Sequence, residues 1–213
     1  LIYGVMTLRE KFPQSEARAA GVDVGQMLSQ FASPVLLLLL VLHAMVGYVE
    51  LGTDSWITNI MKNVIQGKEM LLFIYTSGLM FVLRFFAGPI VERINPVGLL
   101  LMSALLGCVG LYALGSSTAG WAIFIAASVY GVGKTFLWPT MLGVVGERFP
   151  KGGALTMGAM GGIGMLSAGL LGGPGIGYKQ DYFASDNLRS VSPPAYERYK
   201  SNDQNGFLMF PKI

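Results

Sequence analysis

The sequence predicts an all-α, polytopic membrane protein, and two observations carry that expectation. Hydrophobic residues fill 53% of the 213 positions and charged residues only 13%, with a mean hydropathy of +0.55. A soluble domain has about twice that share of charge. The apolar residues also fall into five runs, near 34–57, 70–91, 96–114, 121–146 and 154–176. At about 1.5 Å rise per residue each is long enough, or nearly so, to cross a hydrocarbon core of roughly 30 Å as a helix. The net charge of +3 is dispersed over many loops, so it is no argument for a nucleic-acid partner. Cys108 is the single cysteine and His43 the single histidine. An intrachain disulfide and a histidine-based metal cluster are thereby excluded, and no cofactor is implied.

The chain divides into a charged segment over 1–30, a five-span bundle over 31–177 and a polar, aromatic tail over 178–213. The first segment mixes Arg9, Glu10, Lys11, Glu16, Arg18 and Asp23 around Pro13, which suits a water-exposed linker with a short helix near 15–20. The first span should end near Ile57, after the Gly52 break, with Trp56 as an interfacial anchor. The tail, too charged to span, is expected as an extramembrane loop. The chain opens on Leu1 and stops after FLMFPKI without a closing element; a fragment of a longer protein is expected.

The run over 121–146 is the one around which the others are expected to be organised. Its only formal charge is Lys134, near the middle, where an unpaired lysine costs about 2.5–3.5 kcal/mol. A partner or water is required. Tyr130, Lys134 and Trp138 recur at i, i+4 and i+8, so the charged face also carries two amphipathic aromatics, as a cavity wall would. Gly131 to Thr135 reads GVGKT, like the end of a phosphate-binding loop. Position 128 is serine instead of the required glycine, and the flanks are apolar at membrane length. A nucleotide site is not expected there.

In the first span His43, Gly47, Glu50 and Asp54 fall at i, i+4, i+7 and i+11, a polar stripe on one face. Glu50 is the candidate counter-charge of Lys134, about 7.5 Å outward of mid-span, while Asp54 reads as a solvated end residue. Arg84 lies in the second span, close enough to its end to snorkel. The fifth span is glycine-rich, and Gly158/Gly162 and Gly169/Gly173 have the spacing that allows close helix approach. Near the spans, Arg9, Lys11, Arg18, Arg93, Arg148 and Lys151 lie on one side, against Lys62 and Lys68 on the other. The positive-inside rule makes the N-terminal segment cytoplasmic, in a cell membrane, and the tail external.

Between the second and third runs, Gly88-Pro89-Ile90-Val91-Glu92-Arg93-Ile94 resembles the G-x-L-x-D-R-x-G loop of the major facilitator superfamily. Gly88 and Arg93 match, Glu92 stands at the acidic position, and Asn95 replaces the second glycine. GYVELGTDSWI in the first span is similar to the G-x-E…W pattern of fucose-permease-like sugar transporters. The resemblance implies the second six-helix bundle of a major facilitator fold, helices seven to eleven with the following loop, truncated before the last helix. Its partners would be the N-terminal half, the bilayer and a small polar solute such as a sugar or nucleoside, moved by ion- or proton-coupled alternating access, with no catalytic residue. Lys134, Glu50, His43, Asp54, Arg84, Tyr130 and Trp138 become candidate substrate- or proton-linked residues, and Gly88, Glu92 and Arg93 a conformational-switch loop. The alternative class is a membrane-embedded enzyme or signalling protein with an external tail. No nucleophile/base constellation is recognisable in the sequence to support it.

Overall fold

The computed structural model describes residues 16–62, 64–65, 67–118, 120–200 and 207–210. The first half of the N-terminal linker, with Arg9, Lys11 and Pro13, lies outside them, as does much of the end of the tail. Among the described residues the regular structure is helical throughout. One turn, Glu16–Ala19, precedes α1 (Val24–Ser29). Asp23 closes a capping box on α1: its carboxylate accepts from the Gln26 N–H at 2.7 Å, and the Gln26 side chain accepts from the Asp23 N–H.

Four helices are long and apolar enough to cross a membrane: Pro34–Met61 (α2), Pro96–Ser116 (α5), Gly120–Arg148 and Pro150–Val191 (α8). A fifth candidate is the pair Glu69–Phe85 (α3) and Ala87–Arg93 (α4), bent by 64° at Phe86. Gly120–Arg148 is broken at Phe136 into Gly120–Thr135 (α6) and Leu137–Arg148 (α7). Both breaks have one cause. Pro89 and Pro139 each lie three residues beyond the broken position, lack an N–H, and crowd the carbonyl four residues back. The carbonyls of Phe85 and Thr135 are thus left without their usual helical donor.

Three expectations about the helices need correction. The first span does not stop near Ile57 and Gly52 does not break it; α2 runs on to Met61 through a π-turn at Tyr48–Gly52. The i→i+5 turn takes in one extra residue, which sets Gly47 and Gly52, five apart, on the same face. That face meets α8 so closely that a Cβ on Gly47 would overlap the Gly164 carbonyl and one on Gly172 would come within 2.8 Å of the Gly52 Cα. The close-packing glycines of α8 are therefore Gly164 and Gly172. A Cβ on Gly158, Gly162, Gly169 or Gly173 would meet nothing within 4 Å among the described residues; those four point away from the α2 contact. Finally, the tail is helical through Val191 and again over Pro193–Tyr199 (α9), because nothing after Pro174 interrupts the helix before the Ser192-Pro193 junction.

The buried apolar residues form two clusters. Ile57, Met61, Leu72, Ile123 and Tyr130 join the C-terminal half of α2 to α3 and α6. Leu36, Val46, Leu137, Met141, Val145 and Met160 join its N-terminal half to α7 and α8. Along α2 the acidic residues Glu50 and Asp54 fall between the two clusters, as does Lys134 along α6 and α7. The charged layer is sandwiched. Outward-facing side chains such as Leu38, Val41, Met45, Leu101, Leu105 and Val109 are apolar and exposed, which suits a hydrocarbon surround.

Candidate functional site

Two ion pairs fill the layer between the clusters. Lys134 Nζ donates to both carboxylate oxygens of Asp54, at 2.5 and 2.6 Å, with the lysine side chain 0% exposed and the aspartate 14%. Its counter-charge is Asp54 and not Glu50. The reason is the helix path: since α2 continues through Gly52, Asp54 lies seven residues inside its end and is no solvated terminal residue. The lysine ammonium also sits 5.2 Å over the Tyr130 ring, a favourable placement for a desolvated cation. Tyr130 itself is fully buried, and its hydroxyl donates to the Val49 carbonyl inside the π-turn at 2.8 Å. Neither Lys134 nor Tyr130 is open to a solute in this conformation.

Glu50 pairs instead with Arg84, whose Nη2 lies 2.9 Å from Glu50 Oε1. Arg84 Nε donates to the Thr135 carbonyl at 3.0 Å, the acceptor that Pro139 leaves free. One guanidinium edge thus ties α3 to α2 and to the α6–α7 break. This pair is open where the other is closed. The Arg84 side chain is 39% exposed against 5% for Glu50, and Glu50 Oε2 is buried without a hydrogen-bond partner among the described residues. A buried unpaired carboxylate oxygen is costly and attracts a proton, a water or a donor from a ligand.

His43 is fully buried two turns before Glu50. Its ring packs edge-on against Trp138, with centroids 4.5 Å apart, and neither ring nitrogen has a partner among the described residues. Gly164 abuts both rings: a Cβ there would come 2.6 Å from the Trp138 indole and 3.2 Å from His43. His43, Trp138 and Gly164 thus clasp α2, α7 and α8 together. The polar stripe His43, Gly47, Glu50 and Asp54 does face inward, as its spacing predicts, but it is packed against other helices.

No family model matches this chain, and no curated protein matches its sequence. The stretch from Gly88 to Ile94 is helix α4 rather than a loop through Arg93. Gly88, Glu92 and Arg93 are exposed, and neither charged residue makes an ion pair among the described residues. GVGKT lies inside α6, with Lys134 turned to Asp54, which is not how a phosphate-binding loop is built. The Thr135 carbonyl was not among the expected site residues. Pro139, four positions on, is the signal in the sequence that could have found it.

Proposed function

We propose that this chain is part of a secondary active transporter, one helical bundle that moves a small polar solute by alternating access together with a second bundle, through a proton- or ion-coupled cycle. The observation that carries it is the layer of four ionisable residues between two apolar clusters. Intramembrane charges are expensive and are kept where a pathway or a relay needs them. One of the two pairs is sealed, and the other is exposed on one side with an unsatisfied carboxylate oxygen. Glu50 Oε2 is the candidate protonation point, and Arg84 is the cation whose pairing such a proton would release.

The resemblance of Gly88 to Ile94 to the major facilitator loop, and the order of apolar helices, favour a half-transporter of that superfamily with the N-terminal segment on the cytoplasmic side. The decisive assay uses the full-length protein in proteoliposomes, offered sugars, nucleosides and carboxylates with and without a pH gradient. Accumulation that collapses with the gradient supports the proposal; equilibration of no solute in any arm overturns it. For orientation, cysteine at Ser192 should react with an impermeant thiol reagent on intact cells while cysteine at Ser15 should not. The opposite labelling would reverse the assignment.

A further inference from the structure

We infer that Arg84 forms an anion subsite and that the solute is a small organic carboxylate. The inference rests on the transporter proposal for its purpose and deepens it by naming a substrate class.

The bend at Phe86 carries α4 away from α7 and leaves a groove of about 290 Å³ between them, lined by Arg84, Ala87, Val91, Phe136, Thr140 and Glu147, among others. That is just below the usual range for small-ligand pockets, about 300–1,000 Å³, and suits a solute of a few heavy atoms. Arg84 supplies the cation of this groove, and the edge it offers is fixed. With Nε on the Thr135 carbonyl and Nη2 on Glu50, the remaining nitrogen is Nη1, which has no hydrogen-bond partner among the described residues. A guanidinium held along one edge presents its other edge, Nη1 and the second N–H of Nη2, as a planar fork that matches a carboxylate. Thr140 is a further polar residue on the wall, and the rest is largely apolar. Glu147 lies seven residues, about 10.5 Å of helix, beyond Thr140. Its charge disfavours an anion at that end, so the carboxylate is directed inward to Arg84.

Two consequences follow from how Arg84 is held. Pro139 is a positioning residue, because an N–H at that position would compete for the Thr135 carbonyl. The site is also linked to protons through Glu50. The charges facing Glu50 are Arg84 on α3, Lys134 on α6 and Asp54 on its own helix, the last two already paired together; Tyr130 on α6 is its other titratable neighbour, and His43 lies two turns away on α2 against Trp138. A proton taken up at Oε2 turns the Glu50 carboxylate into a neutral acid, leaves the Arg84 charge uncompensated and strengthens its hold on an incoming carboxylate. One proton and one monocarboxylate then enter together with no net charge.

The test is equilibrium binding of radiolabelled butyrate to the purified full-length protein, with glucose and uridine as neutral comparators. Butyrate should bind and the neutral solutes should not displace it. Arg84→Lys should weaken binding at least about tenfold through loss of the fork, and Pro139→Ala about fivefold, as for one hydrogen bond. Between about pH 6 and 8, where butyrate stays ionised, wild-type affinity should rise as pH falls. Glu50→Gln should bind tightly at every pH. Because Arg84→Met alone strands a buried carboxylate, Arg84→Met/Glu50→Gln is the variant that should fold and fail to bind. Unchanged butyrate affinity in that double variant, or glucose or uridine bound in place of butyrate, overturns the inference. A gradient-driven uptake of sugar without butyrate binding would sink the substrate class and leave the transporter proposal standing; butyrate binding without transport would do the reverse.

Discussion

Lys134–Asp54 and Arg84–Glu50 join one stretch of α2 to two different helices, and they are built to different ends. In the first, a fully buried ammonium takes both oxygens of one carboxylate and lies against an aromatic face. In the second, a partly exposed guanidinium holds one oxygen of Glu50 and a backbone carbonyl, while the other carboxylate oxygen has no partner among the described residues. A sealed pair is costly to separate, because opening it strands two charges in a poor solvent. An open pair with an unmet acceptor can exchange partners at little cost. The comparison separates a clamp between α2 and α6 from a movable contact between α2 and α3.

The largest effect should come from breaking the clamp on one side. Lys134→Met leaves Asp54 unpaired and should destabilise the protein by about 3–5 kcal/mol, read by detergent unfolding of the purified full-length chain. Lys134→Met/Asp54→Asn should recover most of that loss, whereas Lys134→Met/Glu50→Gln should recover little. Equal recovery in the two would mean the carboxylates share the lysine.

Next in size is the α2–α8 crossing. Gly164→Leu must displace Trp138 and crowd the His43 ring, so its cost should reach the top of the range of about 1–3 kcal/mol for overpacking or pass it. Gly162→Leu, two residues away, should change stability by less than about 0.5 kcal/mol, as for a surface substitution. A large loss at Gly162 would show that another helix covers that face.

That pair of glycines also marks how far the sequence could be read. The five apolar runs and the inward polar stripe were legible because hydropathy and period 3.6 report them directly. The choice among glycines was not, since the fifth run has many small residues at permissive spacings and only the register of α8 against α2 selects Gly164 and Gly172. The counter-charge of Lys134 was misread for a related reason. Gly52 reads as a break with the span ending soon after it, near Ile57, whereas the π-turn at Tyr48–Gly52 absorbs the glycine and the helix runs on to Met61, which draws Asp54 inside. The Arg84 contact to Thr135 needed the Pro139 argument joined to tertiary proximity, which one sequence does not supply.

A smaller effect is expected from the movable contact. Arg84→Met should cost about 1–2 kcal/mol in stability, less than Lys134→Met, because Arg84 is partly solvated and Glu50 can take a proton once its partner is gone. Losing as much as Lys134→Met loses would remove the distinction between the pairs.

The most direct measurement compares uptake in proteoliposomes by two doubly neutralised full-length variants, using whichever solute the wild type accumulates. Lys134→Met/Asp54→Asn removes the clamp without stranding a charge and should keep a substantial part of wild-type uptake. Arg84→Met/Glu50→Gln removes the movable contact and should abolish gradient-driven accumulation although the protein inserts and folds. The reverse ranking, with uptake lost in the first variant and kept in the second, would contradict the assignment of clamp and moving part.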